Sequence, residues 1–190
     1  YIAMRGSSQD GHQFISEAIE AGAIGLLVED PKNVPQSFSG VVLWVLDTRL
    51  SLQALSRQFY QSPGDSMESI AVTGTNGKTS TTYFLEHLLK EQGKACGVMG
   101  TIDHHLGEKI WHHSLTTPDA ITLQKRLKDF KERGASAFAI EASSHALCQE
   151  RINQSFDVCL FTNLTREHLE YHRDMDCLLY TSPSPRDRSS

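Results

Sequence analysis

A glycine-rich loop between an apolar strand and a helix constrains the fold of this chain more than any other feature. The loop, Thr73-Gly-Thr-Asn-Gly-Lys-Thr79, follows the apolar segment 69–72 and precedes a helical pattern that we expect to extend from about residue 79 to 92. Glycines in such a loop let main-chain N–H groups turn toward one point, and the N-terminus of the helix adds partial positive charge. The sequence therefore predicts an anion-binding corner of an α/β fold.

Strand and helix patterns alternate on both sides of this loop. Apolar segments at 24–28 and 41–46 predict buried strands, and the segments at 95–101, 137–141 and 158–162 predict further strands. Such alternation predicts a parallel sheet covered by helices on both faces. Ser62-Pro63-Gly64-Asp65 interrupts the pattern, so we expect one domain over residues 1–64 and a second over residues 65–176.

Two threonines are placed where helices are expected to begin. Thr48 and Thr117 are predicted N-caps, because a hydroxyl oxygen can accept a hydrogen bond from the first turn. Pro118 would then occupy the first helical position. Leu123, Leu127 and Phe130 are spaced to share the buried face of the helix that follows.

The bulk composition excludes several classes of function. The chain has 190 residues and a formal net charge of -5, which disfavours a nucleic-acid surface because phosphate binding needs clustered Lys and Arg. No apolar run approaches the roughly 20 residues that span a bilayer, so no membrane insertion is expected. The four cysteines are widely spaced and form no CxxC pair, which is typical of buried thiols in a reducing, cytoplasmic protein: Cys96, Cys148, Cys159 and Cys177.

The loop carries the residue types that bind a nucleotide triphosphate. Lys78 is placed to reach the terminal phosphates of ATP, and the Thr79 hydroxyl to coordinate Mg²⁺. The general motif GxxxxGK[ST] would require glycine at position 72, where this chain has Val72, so the loop is a shortened variant. A phosphate loop alone fits a kinase, a nucleotide-dependent switch or a ligase.

Four ordered motifs resemble the Mur ligase family. They are TGTNGKTSTT at 73–82, LTTPDA at 115–120, EASSHAL at 141–147 and FTNLTREHLEYH at 161–172. The segment at 3–30 also resembles the end of the uridine-nucleotide domain of that family. The resemblance covers residues 1–176 and implies a partial uridine-nucleotide domain followed by a truncated ATP-binding domain with a parallel sheet.

Within the family, the motifs are most similar to the members that add the third residue to the UDP-muramyl peptide. This resemblance implies that ATP phosphorylates the D-Glu side-chain carboxylate of UDP-MurNAc-L-Ala-D-Glu. The amine of meso-diaminopimelate or L-lysine then attacks the acyl phosphate. Members that add the first, second or final residue, and folylpolyglutamate synthetase, are the alternatives within the superfamily. A nucleotide switch or a kinase is the alternative from another class.

The resemblance also assigns roles to individual residues. It implies that the loop binds the ATP phosphates through Thr73, Gly74, Thr75, Asn76, Gly77, Lys78 and Thr79. It implies catalytic roles for Lys78, Glu141 and His168, and Mg²⁺ coordination by Thr79, Glu141 and His168. It implies contacts with the UDP-muramyl peptide for Ser7, Ser8, Gln9, Thr116, Thr117, Ser143, Gln149 and Arg151. A guanidinium such as that of Arg151 can bind a carboxylate or phosphate through two hydrogen bonds.

Two segments lie outside these roles. The four histidines at 104, 105, 112 and 113 predict an exposed hairpin, with a zinc site as the alternative. The last residues, 177–190, show no burial pattern, and we identify Cys177 to Asp187 as a reading frame of a transposase adaptor used in sequencing libraries. We therefore expect a fragment of a ligase that ends in a non-native tail. We expect this fragment to be catalytically inactive.

Overall fold

The computed structural model describes residues 1–6, 9–112, 114–149, 151–152 and 154–163. The chain divides into two compact units, Tyr1–Leu55 and a second unit that begins at Ser56. This division falls inside the helix Thr48–Tyr60. The boundary that we expect at residues 62–65 stays a prediction.

The first unit contains a small parallel sheet. Its elements are a 3₁₀ turn at Gly11–Phe14, helix α1 at Ile15–Glu20, strand β1 at Gly25–Val28, a 3₁₀ turn at Pro31–Asn33, strand β2 at Val41–Trp44 and the start of helix α2, Thr48–Tyr60. Strand β1 pairs with β2 in parallel, with Gly25 opposite Val41. The core of the unit forms around β1 and α1, from Ala3, Ile15, Leu26 and Val28.

Strand β2 differs from the sequence-based expectation in its burial. All four of its residues are exposed, and Leu46 beyond it is 93% exposed. The prediction that 41–46 is buried was therefore wrong for these residues. The physical reason is that β2 belongs to a two-stranded sheet whose buried residues come from β1.

In the described part of the second unit, six strands form one sheet. Its strands are β3 at Glu68–Thr73, β4 at Cys96–Met99, β5 at His104–Leu106, β6 at Lys109–Trp111, β7 at Ala137–Glu141 and β8 at Val158–Phe161. Its helices are α3 at Lys78–Glu91, α4 at Ala120–Glu132 and α5 at Ser144–Cys148, with a 3₁₀ turn at Pro63–Ser66. The strand order is β6-β5-β4-β7-β3-β8.

Four of these strands run parallel, which confirms the α/β prediction. Strand β3 pairs in parallel with both β7 and β8, and β7 also pairs in parallel with β4. Strands β5 and β6 form an antiparallel hairpin added to the β4 edge. Val72 of β3 lies opposite Glu141 of β7 and opposite Leu160 of β8, so the carboxyl ends of these three strands meet at one edge of the sheet.

Apolar clusters cover the sheet. One cluster includes the predicted face of α4, and both Leu127 and Phe130 are fully buried. Phe130 packs so closely on β4 that a Cβ added to Gly97 would lie 2.3 Å from its ring. A second cluster joins Leu89 of α3 to residues of β3, β4 and β7. Among the described residues, no helix combines the length and the apolar character that a bilayer span requires.

Both predicted threonine caps were wrong, because an aspartate caps each helix. Asp47 Oδ1 accepts hydrogen bonds from the main-chain N–H groups of Arg49 and Leu50 at 2.7 and 2.9 Å, while the Thr48 hydroxyl donates to Glu29. Asp119 Oδ1 accepts from two N–H groups of α4 at 3.0 and 2.9 Å. Thr117 is buried, and its hydroxyl donates to Glu141 O instead of capping the helix. A carboxylate oxygen can accept from two N–H groups, which leaves each threonine hydroxyl available for another partner.

Candidate active site

The phosphate loop connects the end of a buried strand to the start of a helix. Thr73 ends β3, Lys78 begins α3, and the residues between them are irregular. Gly74 has φ 123° and Gly77 has φ 86°, which are values that residues with a Cβ adopt only with strain. The two glycines therefore allow the chain to turn from the strand into the helix within a short loop.

Two residues that follow β8 hold this loop in place. The Thr75 N–H donates to Asn163 O at 2.9 Å, and the Asn76 N–H donates to Asn163 Oδ1 at 3.0 Å. Asn163 Nδ2 and Thr162 Oγ1 both donate to Asn76 O, at 3.0 and 2.7 Å. A Cβ on Gly74 would lie 2.3 Å from Thr162 Oγ1. We call Thr162 and Asn163 the loop strap.

The hydrogen bonds of the strap indicate which amides are available to a phosphate. The N–H groups of Thr75 and Asn76 donate to Asn163, so these two amides are already engaged. The first N–H groups of an α-helix have no partner within the helix. The N–H groups at the start of α3, from Lys78 onward, are therefore the main-chain donors best placed to bind a phosphate.

Lys78 is folded over the loop that precedes it. Its ammonium donates to Gly74 O at 2.7 Å and to Thr75 O at 2.8 Å. The side chain is partly buried, and both bonds hold the ammonium group against the main chain of the loop. Thr79 follows in the first turn of α3. This arrangement places one cation and the helix N-terminus on the same corner.

Glu141 lies beside this corner with a fully buried carboxylate. It ends β7, and its main chain lies opposite Val72, directly before the loop. Its Oε1 accepts from the Thr101 N–H at 3.0 Å, and its Oε2 accepts from the Thr101 hydroxyl at 2.9 Å. Within the described part of the chain, no ion pair joins Glu141 to a cationic side chain. Among the residues that the structure describes, the carboxylate therefore contacts neutral donors only.

A buried carboxylate of this kind fits a divalent cation. Burying a charge without an opposite charge is unfavourable, and carboxylate and hydroxyl oxygens are the ligands that Mg²⁺ prefers. Glu141 and Thr79 supply these oxygens near the loop. The described residues contain no group of three or more His, Cys, Asp and Glu that could hold a metal. His168, the other predicted ligand, lies outside the described residues.

The predicted peptide-binding residues form a hydrogen-bonded group next to Glu141. The Thr117 hydroxyl donates to Glu141 O at 2.6 Å and accepts from the Ser143 N–H at 3.0 Å. Arg151 Nη1 donates to Thr117 O at 3.1 Å, and its Nε and Nη2 donate to Gln149 Oε1 at 2.8 and 2.6 Å. A ligand carboxylate could replace the neutral amide oxygen of Gln149 on this guanidinium.

Thr116 is the remaining predicted residue of this group. Its hydroxyl lies 3.2 Å from the Thr101 hydroxyl, which in turn contacts Glu141. The structure therefore brings Thr116, Thr117, Ser143, Gln149 and Arg151 together with Glu141 at the carboxyl end of β7.

The predicted uridine-contacting residues lie in the first unit. Ser7 and Ser8 are outside the described residues, and Gln9 is exposed, with its carbonyl accepting from the Gly6 N–H at 2.8 Å. Next to it, His12 Nε2 accepts from the Glu29 N–H at 3.0 Å, so its Nδ1–H donates to Asp10 at 2.6 Å. The hydrogen bond from the His12 main-chain N–H lowers the pKa of Asp10 below its usual value, and the hydrogen bond from the His12 ring adds a smaller contribution in the same direction.

Comparison with known protein families decides the assignment. Residues 72–181 match the Mur ligase middle domain. The chain belongs to the Mur ligase family. The resemblance stated from the four motifs is thereby confirmed, and the loop, Glu141 and the predicted peptide-binding residues of the second unit all lie in the matched segment.

Individual relatives show which kind of Mur ligase this chain is similar to. A UDP-N-acetylmuramoyl-L-alanyl-D-glutamate–2,6-diaminopimelate ligase of Geobacter metallireducens is 42% identical over 177 residues, which are 93% of this chain and 34% of that protein. The ligase of the same name from Aquifex aeolicus is 44% identical over 179 residues, 93% of this chain and 36% of that protein. The chain therefore spans about a third of the length of these relatives.

Solved structures of Mur ligases share the fold. The structure of a UDP-N-acetylmuramoyl-L-alanyl-D-glutamate–2,6-diaminopimelate ligase aligns with a TM-score of 0.76 at 30% identity, covering 95% of this chain and 36% of the other. A MurF ligase from Thermotoga maritima, solved with ADP, aligns with a TM-score of 0.59 at 23% identity, covering 96% of this chain and 38% of the other. The second comparison supports the fold alone.

Sequence reasoning missed three residues of this candidate site. They are Thr101, which follows β4, and the loop-strap residues Thr162 and Asn163, which follow β8. Each is a hydroxyl or amide residue directly after a parallel strand, or one residue beyond it. That position was one available signal, because the carboxyl ends of parallel strands lie at one edge of a sheet. Thr162 and Asn163 also lie within the motif at 161–172.

Proposed function

We propose that this chain supplies the nucleotide-binding part of an ATP-dependent ligase of peptidoglycan synthesis. The reaction would join the D-Glu side-chain carboxylate of UDP-MurNAc-L-Ala-D-Glu to the amine of an amino acid. The observation that carries the proposal is the position of the phosphate loop and Lys78 beside the buried Glu141 in a Mur ligase middle domain. A ligase needs this pairing because two anionic substrates must meet at one point.

The residues of the chain would act first on ATP. The N–H groups at the start of α3 and the Lys78 ammonium would bind the β- and γ-phosphates and orient the terminal phosphorus. The carboxylate of the muramyl peptide would attack that phosphorus, and the bond to the β-phosphate oxygen would break with release of ADP. The product is an acyl phosphate on the peptide.

The second step forms the amide. The incoming amine attacks the acyl carbon, loses a proton, and phosphate leaves. Arg151 would hold a carboxylate of the peptide through its guanidinium, while Thr116, Thr117 and Ser143 would contact the peptide beside it. Mg²⁺, when bound by Thr79, Glu141 and His168, would neutralise charge on the phosphate oxygens.

The identity of the amino acid is a finer proposal. The relatives from Geobacter metallireducens and Aquifex aeolicus are named as 2,6-diaminopimelate ligases, so we propose diaminopimelate, with L-lysine as the alternative. Because the substrates are nucleotide-linked precursors and ATP, we also propose a cytoplasmic location. The 190-residue chain covers 34% of the first of these relatives, and we propose that it binds nucleotide but does not ligate alone.

Nucleotide binding by the 190-residue chain tests the proposal directly. Isothermal titration with ADP and Mg²⁺ should show binding by the wild type. Lys78→Ala should lower the affinity roughly 10-fold or more, because a hydrogen bond to a charged group contributes about 1.5–3 kcal/mol. Lys90→Ala, in the last turn of the same helix, is the matched control and should bind like the wild type. Absence of binding by the wild type, or wild-type affinity in Lys78→Ala, would contradict the assignment.

Turnover tests the substrate class. A full-length ligase that contains this sequence should release phosphate from ATP only when UDP-MurNAc-L-Ala-D-Glu and diaminopimelate or lysine are present. The same assay with each amino acid separately decides between them. Phosphate release that ignores the muramyl peptide but responds to guanine nucleotides would support a nucleotide switch instead.

A further inference from the structure

A buried histidine of the histidine-rich stretch lies between two carboxylates. His105 is 6% exposed, its Nδ1 is 2.5 Å from Asp103 Oδ1, and its Nε2 is 3.0 Å from Glu86 Oε2. An ionised carboxylate can only accept a hydrogen bond, so both ring nitrogens face acceptors, which is the arrangement that favours the imidazolium form. Burial alone would lower the pKa of His105, but the hydrogen bonds and charges of Glu86 and Asp103 outweigh it and raise the pKa.

The two carboxylates belong to different elements of the second unit. Glu86 lies on α3, the helix that begins at Lys78, whereas Asp103 lies in the connection between β4 and β5. Tyr83 lies one turn before Glu86 on α3, and its hydroxyl donates a hydrogen bond to Asp103 Oδ1 at 3.2 Å. Burial, followed by the charge of Asp103, raises the pKa of Tyr83 to about 12, so the phenol keeps its proton. The histidine therefore joins the 100–103 connection to the nucleotide-binding helix.

The same connection holds the Glu141 carboxylate. Thr101 donates to both carboxylate oxygens, through its N–H at 3.0 Å and its hydroxyl at 2.9 Å. Gly100 packs against the carboxylate so closely that an added Cβ would lie 2.2 Å from Glu141 Oε1. The Gly100 N–H donates to Asp103 O at 3.1 Å, which closes the connection into a turn. A shift of Asp103 would therefore move both donors of Glu141.

We propose that His105 is a positioning residue, which fixes the 100–103 turn to helix α3 so that Thr101 holds Glu141 in the orientation that binds Mg²⁺. The inference rests on the proposed function, in which Glu141 is a ligand of the nucleotide-bound metal. Residues that orient a metal ligand typically change metal affinity when they are replaced, even though they do not touch the ion. His105 acts in this way through Asp103 and Thr101.

The test separates metal binding from nucleotide binding. The affinity of the 190-residue chain for ADP is measured by isothermal titration in EDTA and again in MgCl₂, and the ratio gives the gain due to Mg²⁺. His105→Gln should leave the affinity in EDTA unchanged and reduce the Mg²⁺ gain roughly 10-fold. Glu86→Gln keeps an acceptor but loses the charge, so a smaller reduction is expected. His112→Gln changes an exposed histidine of the same stretch and should behave like the wild type.

Each outcome has a separate meaning. A wild-type chain that binds no ADP overturns the proposed function, and the positioning role with it. If the wild type shows a Mg²⁺ gain that Glu86→Gln and a folded His105→Gln retain in full, only the positioning role is overturned. If His105 has a purely structural role, His105→Gln should lower the melting temperature without changing the Mg²⁺ gain in ADP affinity. Because Glu86→Gln is a mild substitution, it decides the question if His105→Gln does not fold.

Discussion

The loop strap predicts that a residue outside the phosphate loop controls nucleotide affinity. Asn163→Ala removes the hydrogen bond from the Asn76 N–H and the hydrogen bond to Asn76 O. The bond from the Thr75 N–H to the main-chain oxygen of Asn163 remains, because alanine has the same carbonyl. The substitution therefore loosens one side of the loop without changing any residue of the loop itself.

The size of the effect follows from the number and exposure of the lost bonds. A net hydrogen bond contributes about 0.5–1.5 kcal/mol, and solvent-exposed bonds lie near the lower end. Both bonds of the Asn163 side chain are exposed, so the loop should lose about 1 kcal/mol of preorganisation. If binding requires the ordered loop, that loss weakens ADP binding roughly 5-fold.

Isothermal titration of the 190-residue chain with ADP and Mg²⁺ measures this change. Thr162→Val should act in the same direction because it removes the hydroxyl that donates to Asn76 O, and Thr162→Ser should restore wild-type affinity. Thermal unfolding of each variant separates a loosened loop from a destabilised domain. Wild-type affinity in both Asn163→Ala and Thr162→Val would refute the idea that the strap preorganises the loop.

Three further predictions concern stability and reactivity. Phe130→Ala should lower the free energy of unfolding by about 3–5 kcal/mol, measured by denaturant titration, because the ring is fully buried; a smaller loss would mean that the core around it relaxes. Because the pKa of His105 is raised in the folded chain, despite burial, by its two carboxylate partners, its stabilising contribution should be complete below the unfolded pKa of about 6.5 and disappear as pH rises through the folded value. His105→Gln should flatten this part of the stability profile, and an unchanged profile would contradict the ion pairs. Burial raises the pKa of Cys96 to about 12, so a thiol reagent at neutral pH should modify the exposed Cys148 and leave Cys96 unmodified until the chain unfolds.

The elements around the phosphate loop could be predicted closely because local patterns determine them. The strand expected at 69–72 is Glu68–Thr73, and the helix expected from about 79 to 92 is Lys78–Glu91. Gly93 follows that helix with φ 75°, as a residue that ends a helix often does. In each case the signal is the spacing of apolar residues and the position of a glycine, which both lie within the segment itself.

Burial was harder to predict, because it depends on neighbours that are distant in sequence. The hairpin expected in the histidine-rich stretch is present as β5 and β6, but the expectation that it is exposed was wrong for His104 and His105. Strand β5 lies between β4 and β6 in the sheet, and His105 packs against Glu86 of α3, which is distant in sequence. His112 is exposed as expected, and His113 lies outside the described residues. Nothing in the local sequence indicates that the hairpin joins the edge of β4.

The predicted and missed site residues differ in how their partners are distributed along the chain. Each parallel strand brings a polar residue to the carboxyl edge of the sheet: Thr101 after β4, Glu141 on β7, Thr73 on β3 and Thr162 after β8. Their order in the sheet, β4-β7-β3-β8, differs from their order in sequence. A motif indicates that a residue takes part in the chemistry, but the partner of that residue follows only from strand order. Thr101 and Asn163 were missed for this reason, since Thr101 contacts Glu141 across β4 and β7, and Asn163 contacts the loop across β8 and β3. In a parallel sheet, the polar residues that follow the strands on either side of a phosphate loop should therefore be treated as candidates for positioning the loop and its metal ligand, whatever their motif.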